Sequence, residues 1–433
     1  MAREYKDSGI EWIGQIPKEW KLASLKQIGT YINGYAFKPE DWTDSGKPII
    51  RIQDLTGSMG SPNFYNGVLD SKYLVSKGNI LVSWAATLDA FIWEKEEGWL
   101  NQHIFKALPS SDVNYQFFYW LIKLAMENMN NDNKHGIVMQ HVTTKVFGNF
   151  VVSIPSVNEQ QKIADYLDKV CGEVDEMVAL QETMIEELKA YKQSVITEAV
   201  TKGLNPNVPM RSSGIDWIGE IPEHWDIVPI KYIKANDKNA FADGPFGSNL
   251  KSEHFIENGD VIVIESGNIT TGKFVYKDFK TISMEHFETI RRSECKANDV
   301  IIAKIGANYG MAGILPLLDK PSVVSGNSLK ITLDDNKMMN SIFVYLMLSS
   351  KWNNGFKGLV QENAQPALSL SGLNNFRMPH APLPEQRAIA SYLDTKCTEI
   401  DSLIALKQAK IEELKEYKKS VIYEYVTGKK EVC

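Results

Sequence analysis

The chain has 433 residues, of which 47 are Lys or Arg and 54 are Asp or Glu, so its formal charge is −7. This length predicts two or three domains. A hydrophobic content of 43% with 23% charged residues excludes a disordered chain, a collagen-like chain and a disulfide scaffold. The acidic balance also argues against a nucleic-acid-binding protein, because such domains are usually basic.

The N-terminal segment MAREYKDSGIEW has no basic stretch followed by an apolar one, and no long apolar run occurs anywhere in the chain. We therefore expect no signal peptide, no membrane association and a cytoplasmic location. The four cysteines lie far apart and form no Cys-x-x-Cys pair, which argues against a metal site and favours reduced thiols.

Two segments of the chain occur twice. Residues 8–20 (SGIEWIGQIPKEW) and 213–225 (SGIDWIGEIPEHW) are identical at 9 of 13 positions, and residues 159–201 and 385–427 agree at 25 of 43. The blocks between them differ in sequence, and the second block is longer. The order of short repeat, variable block and long repeat therefore appears twice, which indicates a tandem duplication.

The variable blocks, about 20–155 and 225–381, are predicted to contain more strand than helix. Short β-branched runs bounded by Gly, Asn and Asp predict strands at Pro48–Ile52, Ile80–Trp84, Val261–Glu265, Val300–Ile305 and Ser328–Leu333. Helices are predicted at Tyr115–Glu127 and Ser341–Lys351. A glycine-led loop, at Gly34 in one block and Gly244 in the other, precedes the strands in both. We therefore expect one fold with different loops, which is a common way to alter binding specificity.

The long repeat is predicted to be a helix, because its apolar residues recur at spacings of three, four and seven. Asn158 is the expected N-cap of the first copy. At 1.5 Å per residue each copy would be about 65 Å long. Such a helix could lie along a globular core, but the matched stripes favour an antiparallel coiled coil between the two copies, with a pseudo-two-fold axis near residue 180.

The positions predicted to form this coiled-coil interface are Leu167, Val174, Val178, Ile185, Leu188 and Val195 in the first helix and Leu393, Ile400, Ile404, Ile411, Leu414 and Val421 in the second. Met177, Leu403, Tyr191 and Tyr417 belong to the same apolar stripe, and Leu180 and Leu406 are expected close to the midpoint of the opposite helix. Cys171 and Cys397 would lie on opposite sides of the axis, so we expect no disulfide between them.

Catalytic motifs are missing from the sequence. It contains no HExxH, no G-x-S-x-G, no G-x-G-x-x-G and no Asn-Pro-Pro-aromatic segment. Residues 267–274 approach the phosphate-binding G-x-x-x-x-G-K-[ST], but Phe274 replaces the hydroxyl residue and an extended segment follows it. We interpret this motif as a β-turn, and we expect the chain to be no enzyme and to bind no metal.

Two features together carry a resemblance to a known family. One is the signature I-x-W-I-G-x-I-P-x-x-W before each variable block, and the other is the P-x-x-x-E-Q-x-x-I-A-x-Y-L-D start of the first long helix, with a P-x-E-Q variant in the second. Both resemble the specificity (S) subunit of type I restriction-modification systems, and the duplicated layout covers essentially the whole chain.

This resemblance implies an α+β fold in which two mixed, strand-rich target-recognition domains are separated by two long helices that form an antiparallel coiled coil. The implied boundaries are 1–157 and 212–383 for the recognition domains, with the first helix and linker at 158–211 and the second helix at 384–433. It also implies a non-catalytic subunit that reads a bipartite, asymmetric site in double-stranded DNA and docks two methyltransferase (M) subunits, which restriction (R) subunits then join. S-adenosylmethionine would be bound by M, and ATP and Mg by R, with no cofactor on this chain.

Candidate DNA-reading residues come from the glycine-rich loops, because Arg and Lys favour guanine, Asn and Gln favour adenine, and hydroxyl groups favour phosphate. Those of the first block are Tyr35, Phe37, Lys38, Arg51 and Gln53. Those of the second block are Phe246, Ser248, Asn249, Lys251, Ser266 and Asn268. The alternative for each aromatic residue is core packing, and for each charged residue a solvated surface position.

A second hypothesis is a coiled-coil scaffold whose two β-rich modules bind protein or sugar. The distribution of charge also bears on DNA binding, since more than half of the net negative charge lies on the first long helix and its linker. The variable blocks are nearly neutral, so we expect the isolated chain to bind DNA weakly and in a salt-sensitive manner.

Overall fold

The computed structural model describes residues 3–57, 61–85, 87–132, 144–245, 247–270, 272–360 and 366–432. The chain divides into two compact units, one formed by Met1–Glu182 with Gln408–Cys433 and the other by Thr183–Lys407. Each long helix therefore contributes one part of its length to each unit.

The strands before the first long helix are β1 (Tyr5–Asp7), β2 (Gln15–Pro17), β3 (Lys21–Ser24), β4 (Gly29–Asn33), β5 (Lys47–Ile50), β6 (Phe64–Tyr65), β7 (Leu74–Val75), β8 (Ile80–Ser83), β9 (Asp89–Ile92), β10 (Gly98–Leu100), β11 (Ile104–Pro109) and β12 (Val151–Ile154). The helices are α1 (Leu25–Ile28), α2 (Ile52–Thr56), α3 (Tyr115–Asp132), α4 (Thr144–Asn149) and the long α5 (Val157–Lys202).

Two four-stranded sheets form the centre of the first unit, in the orders β6-β5-β10-β7 and β4-β11-β8-β9. Only β5 and β10 pair in parallel, with Leu100 opposite Ile50, and the other pairs in these sheets are antiparallel. Strand β8 is buried along its whole length, which explains its continuous apolar run. Helix α3 packs Phe117, Phe118 and Leu121 into the core.

The strands after α5 are β13 (Met210–Ser212), β14 (Glu220–Pro222), β15 (Asp226–Pro229), β16 (Phe241–Asp243), β17 (Val261–Ile264), β18 (Ile269–Thr270), β19 (Lys273–Phe274), β20 (Lys280–Ile282), β21 (Glu294–Cys295), β22 (Val300–Ala303), β23 (Ala312–Ile314), β24 (Ser322–Val324), β25 (Ser328–Ile331) and β26 (Arg377–His380). The helices are α6 (Ile230–Ile233), α7 (Met284–Thr289), α8 (Asn340–Trp352), α9 (Leu370–Asn375) and the long α10 (Leu383–Val426).

The second unit repeats the topology of the first. Its four-stranded sheets have the orders β20-β17-β24-β21 and β16-β25-β22-β23, and β17 and β24 are again the parallel pair. The two variable blocks therefore share one fold although their sequences differ, as the glycine-led loops predicted. The predicted strands and the two predicted helices are all present, and their bounds differ by a few residues.

The first long helix begins two residues earlier than its predicted N-cap implied. Helix α5 starts at Val157, and the hydroxyl of Ser156 accepts the backbone N–H of Glu159 at 3.4 Å. Ser156 rather than Asn158 therefore caps the helix, because Asn158 already lies inside its first turn. The helix ends before Gly203, whose φ of 75° is favourable for glycine.

The short and long repeats contact each other in both units. The indole N–H of Trp20 donates to Glu159 Oε2 at 2.9 Å, and that of Trp225 donates to Glu385 Oε2 at 3.0 Å. Both indoles are almost fully buried. The next residue of the long repeat, Gln160, is also buried, and its amide oxygen accepts the N–H of Asn114 at 2.7 Å. These contacts attach the start of each long helix to its own domain.

Gln386 makes the equivalent contact in the second unit, accepting the N–H of Met339 at 2.9 Å. Helices α3 and α8 therefore begin against the same side chain of the repeat.

Within each unit the two long helices run antiparallel. In the first unit Leu167 and Cys171 of α5 share a core with Val421 and Val426 near the end of α10. In the second unit the end of α5 and the start of α10 share a core. The α+β fold with a tandem duplication and an antiparallel coiled coil is confirmed.

The predicted interface positions are all buried or half-buried: Leu167, Val174, Ile185, Val195, Leu393, Ile400, Ile411, Leu414 and Val421 are buried, and Val178, Leu188 and Ile404 are half-buried. The rest of the predicted stripe is wrong, because Met177, Leu403, Tyr191 and Tyr417 are exposed. Leu180 and Leu406, which we expect near the midpoint of the opposite helix, are 53% and 65% exposed. Two paired helices bury a narrow seam, so residues at the border of an apolar stripe remain outside it.

The cysteines at equivalent repeat positions, Cys171 and Cys397, are buried free thiols, as is Cys295. Burial raises the pKa of the Cys171 thiol to about 11. Among the helices of the described ranges, none is long and apolar enough to cross a membrane.

Candidate nucleic-acid interface

The candidate interface of the first unit lies where its two parallel strands end. Strand β5 is followed by Arg51 and β10 by Asn101, and the backbone N–H of Tyr35 donates to the carbonyl of Leu100 at 2.8 Å. We call residues 34–38, 51–53 and 101–103 the first edge. Carboxyl ends of parallel strands commonly carry binding sites, because the loops that follow them diverge there.

Gly34 is required at this edge by close packing. A Cβ atom at Gly34 would overlap the carbonyl oxygen of Asn101, and one at Gly244 would overlap that of Ser325 in the second unit. The glycine-led loop is therefore held directly against the chain that leaves the parallel strand. This requirement accounts for the glycine that both variable blocks share.

Four of the predicted readout residues lie at the surface of the first edge or partly below it. Tyr35 is half-buried and packs edge-on against Tyr73 with ring centroids 5.7 Å apart. Arg51 is half-buried, and its Nη2 donates to the carbonyl of Ser61 at 3.2 Å. Gln53 is half-buried in α2. The Lys38 side chain is 74% exposed, 4.0 Å from Glu40.

Phe37 is a correction to the predicted set. It is only 8% exposed and forms a hydrophobic cluster with Ile49 and Trp99. Its ring centroid lies 5.4 Å from that of Tyr65. Phe37 therefore stabilises the core under the loop and does not present its ring to a ligand.

Sequence reasoning missed Gln102 and His103, which follow β10 directly. Gln102 Oε1 and His103 Nδ1 are buried and have no hydrogen-bond partner among the described residues, as is also true of Arg51 Nε. Their nearer nitrogens, Gln102 Nε2 and His103 Nε2, are 3.3 Å apart. Buried polar atoms without partners are costly, so such a cluster indicates a surface that a polar ligand completes. The signal available in the sequence was the polar run Asn101–His103 directly after the apolar pair Trp99 and Leu100, where no strand was predicted.

The second edge, formed by residues 243–245, 247–251, 265–268 and 325–327, occupies the equivalent place. Asn249 and Lys251 are exposed and Ser266 is half-buried. The carbonyl of Asn249 accepts from His286 Nε2 at 2.9 Å, which attaches the loop to α7. Phe246 lies outside the described residues, and so does the side chain of Ser248.

Asn268 is a second correction. It is 4% exposed, and its Oδ1 accepts the N–H of Glu265 at 2.9 Å while its Nδ2 donates to the carbonyl of Lys277 at 2.8 Å. Both ends of the amide are therefore used to fix the segment that follows β17. Asn268 shapes the second edge from beneath it and has no free amide for a base.

A charged cluster that sequence reasoning missed lies at the base of the second edge. Asp243 is almost buried and pairs with Arg292 at 2.5 Å and with Lys304 at 3.7 Å. Burial lowers the pKa of the Lys304 ammonium group, although Asp243 opposes this effect. The cluster carries a net positive charge next to the loop that begins at Gly244.

The phosphate-binding resemblance at residues 267–274 does not correspond to a phosphate loop. Strands β18 and β19 pair antiparallel, with Ile269 opposite Phe274, so the motif is a hairpin as expected. Within the described ranges, no group of three or more His, Cys, Asp or Glu side chains could hold a metal ion.

Comparison with known protein families matches residues 17–190 and 246–416 to the Type I restriction modification DNA specificity domain. These two ranges cover most of the chain. The chain belongs to this family. Each match includes most of one variable block and most of one long helix, so the specificity-domain family accounts for the tandem layout.

The MjaVIII specificity subunit of Methanocaldococcus jannaschii, from a type I restriction enzyme, is 23% identical over 422 residues, which cover 96% of this chain and 94% of the relative. The EcoBI specificity subunit of Escherichia coli is 25% identical over 414 residues, covering 93% of this chain and 84% of the relative.

A solved structure from work on complex assembly and conformational transition of the type I R-M system has the same fold. It superimposes with a TM-score of 0.68 at 14% identity, and the match covers 95% of this chain and 98% of that one.

Proposed function

We propose that this chain is the DNA sequence-specificity subunit of a type I restriction-modification complex, and that each unit reads one half of a bipartite, asymmetric site. The observation that carries the proposal is the repeated fold with different chemistry at the same place. The first edge presents Tyr35, Arg51 and Gln102, whereas the second presents Asn249, Lys251 and the Asp243 cluster. Equivalent scaffolds with unlike edges are suited to unlike half-sites.

The recognition domains are assigned to residues 1–157 and 212–383, and the segments 158–211 and 384–433 connect them. Two facts support this division. The repeated contacts of Trp20 with Glu159 and of Trp225 with Glu385 lie at the junctions, and the two edges lie well inside the variable blocks. Sequence choice therefore resides in the blocks, and attachment resides in the repeats.

The long helices are proposed to dock two methyltransferase subunits, one for each unit. Each unit exposes the same three repeat positions: Met177, Leu180 and Tyr417 in the first, and Leu403, Leu406 and Tyr191 in the second. We call each trio the exposed apolar stripe of its unit, to distinguish it from the buried helix interface. Exposed apolar residues that recur at equivalent positions favour a protein partner. Restriction subunits would then join through the methyltransferase subunits.

The chemistry of the complex is assigned to these partners. The methyltransferase subunits would bind S-adenosylmethionine, the restriction subunits would use ATP and Mg, and this chain would choose the sequence without catalysing a reaction. The near-neutral variable blocks support a further division of labour, in which the methyltransferase subunits supply much of the affinity for phosphate. The isolated chain should then bind DNA weakly, and more weakly still as salt rises.

Exchange of one recognition block tests the proposal. Residues 20–155 are replaced with the corresponding block of another family member, and the complex with methyltransferase subunits is assayed by sequencing methylated adenines. One half-site should change while the other half-site stays as it was. An exchange of residues 225–381 should alter the opposite half-site. If the first exchange left both half-sites unchanged, the assignment of the domains would be wrong.

A binding assay separates this function from that of a scaffold for protein or sugar. Duplexes that contain the site identified by sequencing should bind tightly to the complex of this chain with methyltransferase subunits. They should bind weakly to the chain alone and to the chain mixed with an unrelated helical protein. High affinity of the isolated chain at physiological salt would contradict the proposed division of labour.

A further inference from the structure

We infer that Arg292 is a specificity-determining residue of the second recognition domain, and that Asp243 positions its guanidinium group against a guanine base. The inference rests on the proposed function, since it names one base contact within the second half-site. It is drawn from the charged cluster at the base of the second edge.

Asp243 is a fixed point in the fold. It is the last residue of β16, where it lies opposite Leu329 in the antiparallel pair with β25. Its backbone carbonyl accepts the hydroxyl of Ser293 at 2.8 Å, and its side chain is 10% exposed. The carboxylate is therefore held in place from two sides before any ligand binds.

Two cations share this carboxylate, and they differ in exposure. The Lys304 side chain is 9% exposed, with its ammonium group 3.7 Å from Asp243 Oδ2, whereas the Arg292 side chain is 59% exposed, with Nη2 2.5 Å from Oδ1. A buried carboxylate requires a counter-charge, and Lys304 supplies one from within the fold. The charge of Arg292 is therefore in excess, and it is the member of the cluster that faces solvent.

The free part of the guanidinium group matches a base edge. An arginine side chain carries five N–H donors in a planar fork, and in the described part of the chain Asp243 is the acceptor that the structure gives Arg292. Contact with a carboxylate fixes the plane of the fork in advance, which lowers the entropy lost on binding. A bidentate contact of Arg with O6 and N7 of guanine is the commonest specific contact in the major groove.

The adjacent residue Arg291 shows what an arginine without this role looks like. It lies in the same short helix, Arg291–Ser293, and has the same side-chain exposure of 59%. Both of its hydrogen bonds go to Glu288, at 2.9 Å each, and Glu294 lies 3.9 Å away. Its charge is neutralised by Glu288, which is exposed, and by Glu294, which is half-buried, so Arg291 serves as a matched control.

The first unit does not contain this cluster. By strand register, Asn33 occupies the position of Asp243, opposite Phe105 in β11. Lys72 stands two residues before β7 as Arg292 stands two before β21, and Trp84 follows β8 as Lys304 follows β22. Changes at Arg292 should therefore affect only the half-site that the second domain reads.

The test uses the complex with methyltransferase subunits and a duplex library in which both half-sites are randomised. The wild-type complex should select guanine, on one strand or the other, at a position of the second half-site. Arg292→Ala should reduce that preference by roughly 5- to 150-fold, leaving the first half-site unchanged. Arg292→Lys keeps the charge but lacks the fork, so it should lose the preference too. Arg291→Ala should select the same sequence as wild type.

Asp243→Asn tests the positioning role, and the first unit already folds with Asn at this position. The Asp243→Asn variant should weaken the preference for guanine at the same base and at no other. If Asp243 had only a structural role, the variant would instead lower binding to all sequences equally. Because Lys304 still provides a counter-charge for Asp243 and the Arg292 side chain is itself exposed, Arg292→Ala should fold, and its melting temperature provides the check.

Two results would overturn the inference. One is an unchanged selection profile for Arg292→Ala. The other is an equal loss of affinity for all sequences with a salt slope reduced by about one, which would mean a phosphate contact. If the wild-type complex selected no sequence at all, the proposed function would fail instead.

Discussion

The ammonium group of Lys418 lies 2.6 Å from both carboxylate oxygens of Asp175, and this pair joins the two long helices within the first unit. The second unit contains the same pair in reverse, because Lys192 Nζ lies 2.6 Å from Asp401 Oδ1. Lys192 corresponds to Lys418 in the repeat, and Asp175 corresponds to Asp401. The same pair of residues therefore joins the antiparallel helices at equivalent positions in both units.

A double-mutant cycle measures this register contact. Lys418→Met, Asp175→Asn and the double variant should give a coupling free energy of about 0.2–1 kcal/mol by chemical unfolding, because the Asp175 side chain is 64% exposed. The cycle at Lys192 and Asp401 should give a value at the upper end of that range, since Asp401 is less exposed and Lys273 also lies 3.1 Å from it. Coupling of zero in both cycles would show that hydrophobic burial alone sets the register.

The stability of the second unit should depend on pH through Asp401. Burial alone would raise the pKa of this carboxyl, but the hydrogen bonds from Lys192 and Lys273 outweigh it and hold the pKa below its usual range. The ionised form therefore adds stability above the unfolded pKa of about 3.9, and this contribution is lost as the pH falls through the folded-state pKa.

The measurement compares the free energy of unfolding of wild type and Asp401→Asn between neutral and acid pH. The advantage of wild type should be constant near neutrality and should shrink as the solution becomes more acid than about pH 4. Asp335→Asn, which removes an exposed carboxylate from the same unit, should follow the wild-type curve. A gap of unchanged size at the lowest pH would contradict the role of the two lysines.

Substitution of single glycines should have opposite effects at two places. Gly34→Ala should destabilise the first unit by about 1–3 kcal/mol, because the new methyl group would overlap the Asn101 carbonyl. Gly172→Ala should stabilise it by about 0.5–1 kcal/mol, because a Cβ there meets open space within an exposed helix position. Thermal unfolding of the two variants checks both signs, and equal shifts would contradict the close approach at the first edge.

The exposed apolar stripes should be needed for methyltransferase binding. Leu180→Glu and Leu406→Glu each place a charge in one stripe, and burial of a leucine is worth about 1.5–3 kcal/mol. Each variant should therefore weaken binding of methyltransferase subunits by roughly tenfold to a hundredfold, with helix content preserved because Glu is a good helix former.

Leu317→Glu is the matched control for the stripes, since this leucine is 84% exposed outside the long helices. Titration calorimetry with purified methyltransferase subunits measures all three variants. Wild-type affinity in both helix variants would place the docking surface elsewhere.

Much of the fold could be predicted because it follows from local patterns. The duplicated segments, the buried strand Ile80–Ser83 and the helical stripe ending at Val195 are all read from spacing along the chain. Contacts between distant segments could not be predicted in this way. Trp20 and Glu159 are 139 residues apart. Trp20 lies in the short repeat and Glu159 in the long repeat, and the periodicity of each repeat gives no information about a contact between them.

The candidate site was harder to predict because residue type does not fix exposure. Phe37 and Asn268 have the side chains expected of DNA-reading residues. Phe37, however, is packed in a hydrophobic cluster, and both ends of the Asn268 amide are hydrogen-bonded to the backbone. Arg292 could not be distinguished from its neighbour Arg291 by residue type. Only the fold shows that Arg292 pairs with Asp243, whereas Arg291 pairs with Glu288. Met177 shows the reverse error, because an apolar residue predicted to belong to the interface stripe is exposed.

The buried contacts of Trp20 with Glu159 and of Gln160 with Asn114 have a consequence for how such chains diversify. The groups that anchor the first variable block lie in the repeats and in or beside helix α3, where Trp120 Nε1 also donates to Asp168 Oδ1 at 2.7 Å, and none of these three contacts involves a residue of the first edge. Substitutions at either edge can therefore accumulate without altering how the block is anchored. A new specificity can arise in one block while the other block, the helix pair and the surfaces that meet partner proteins keep their inherited form.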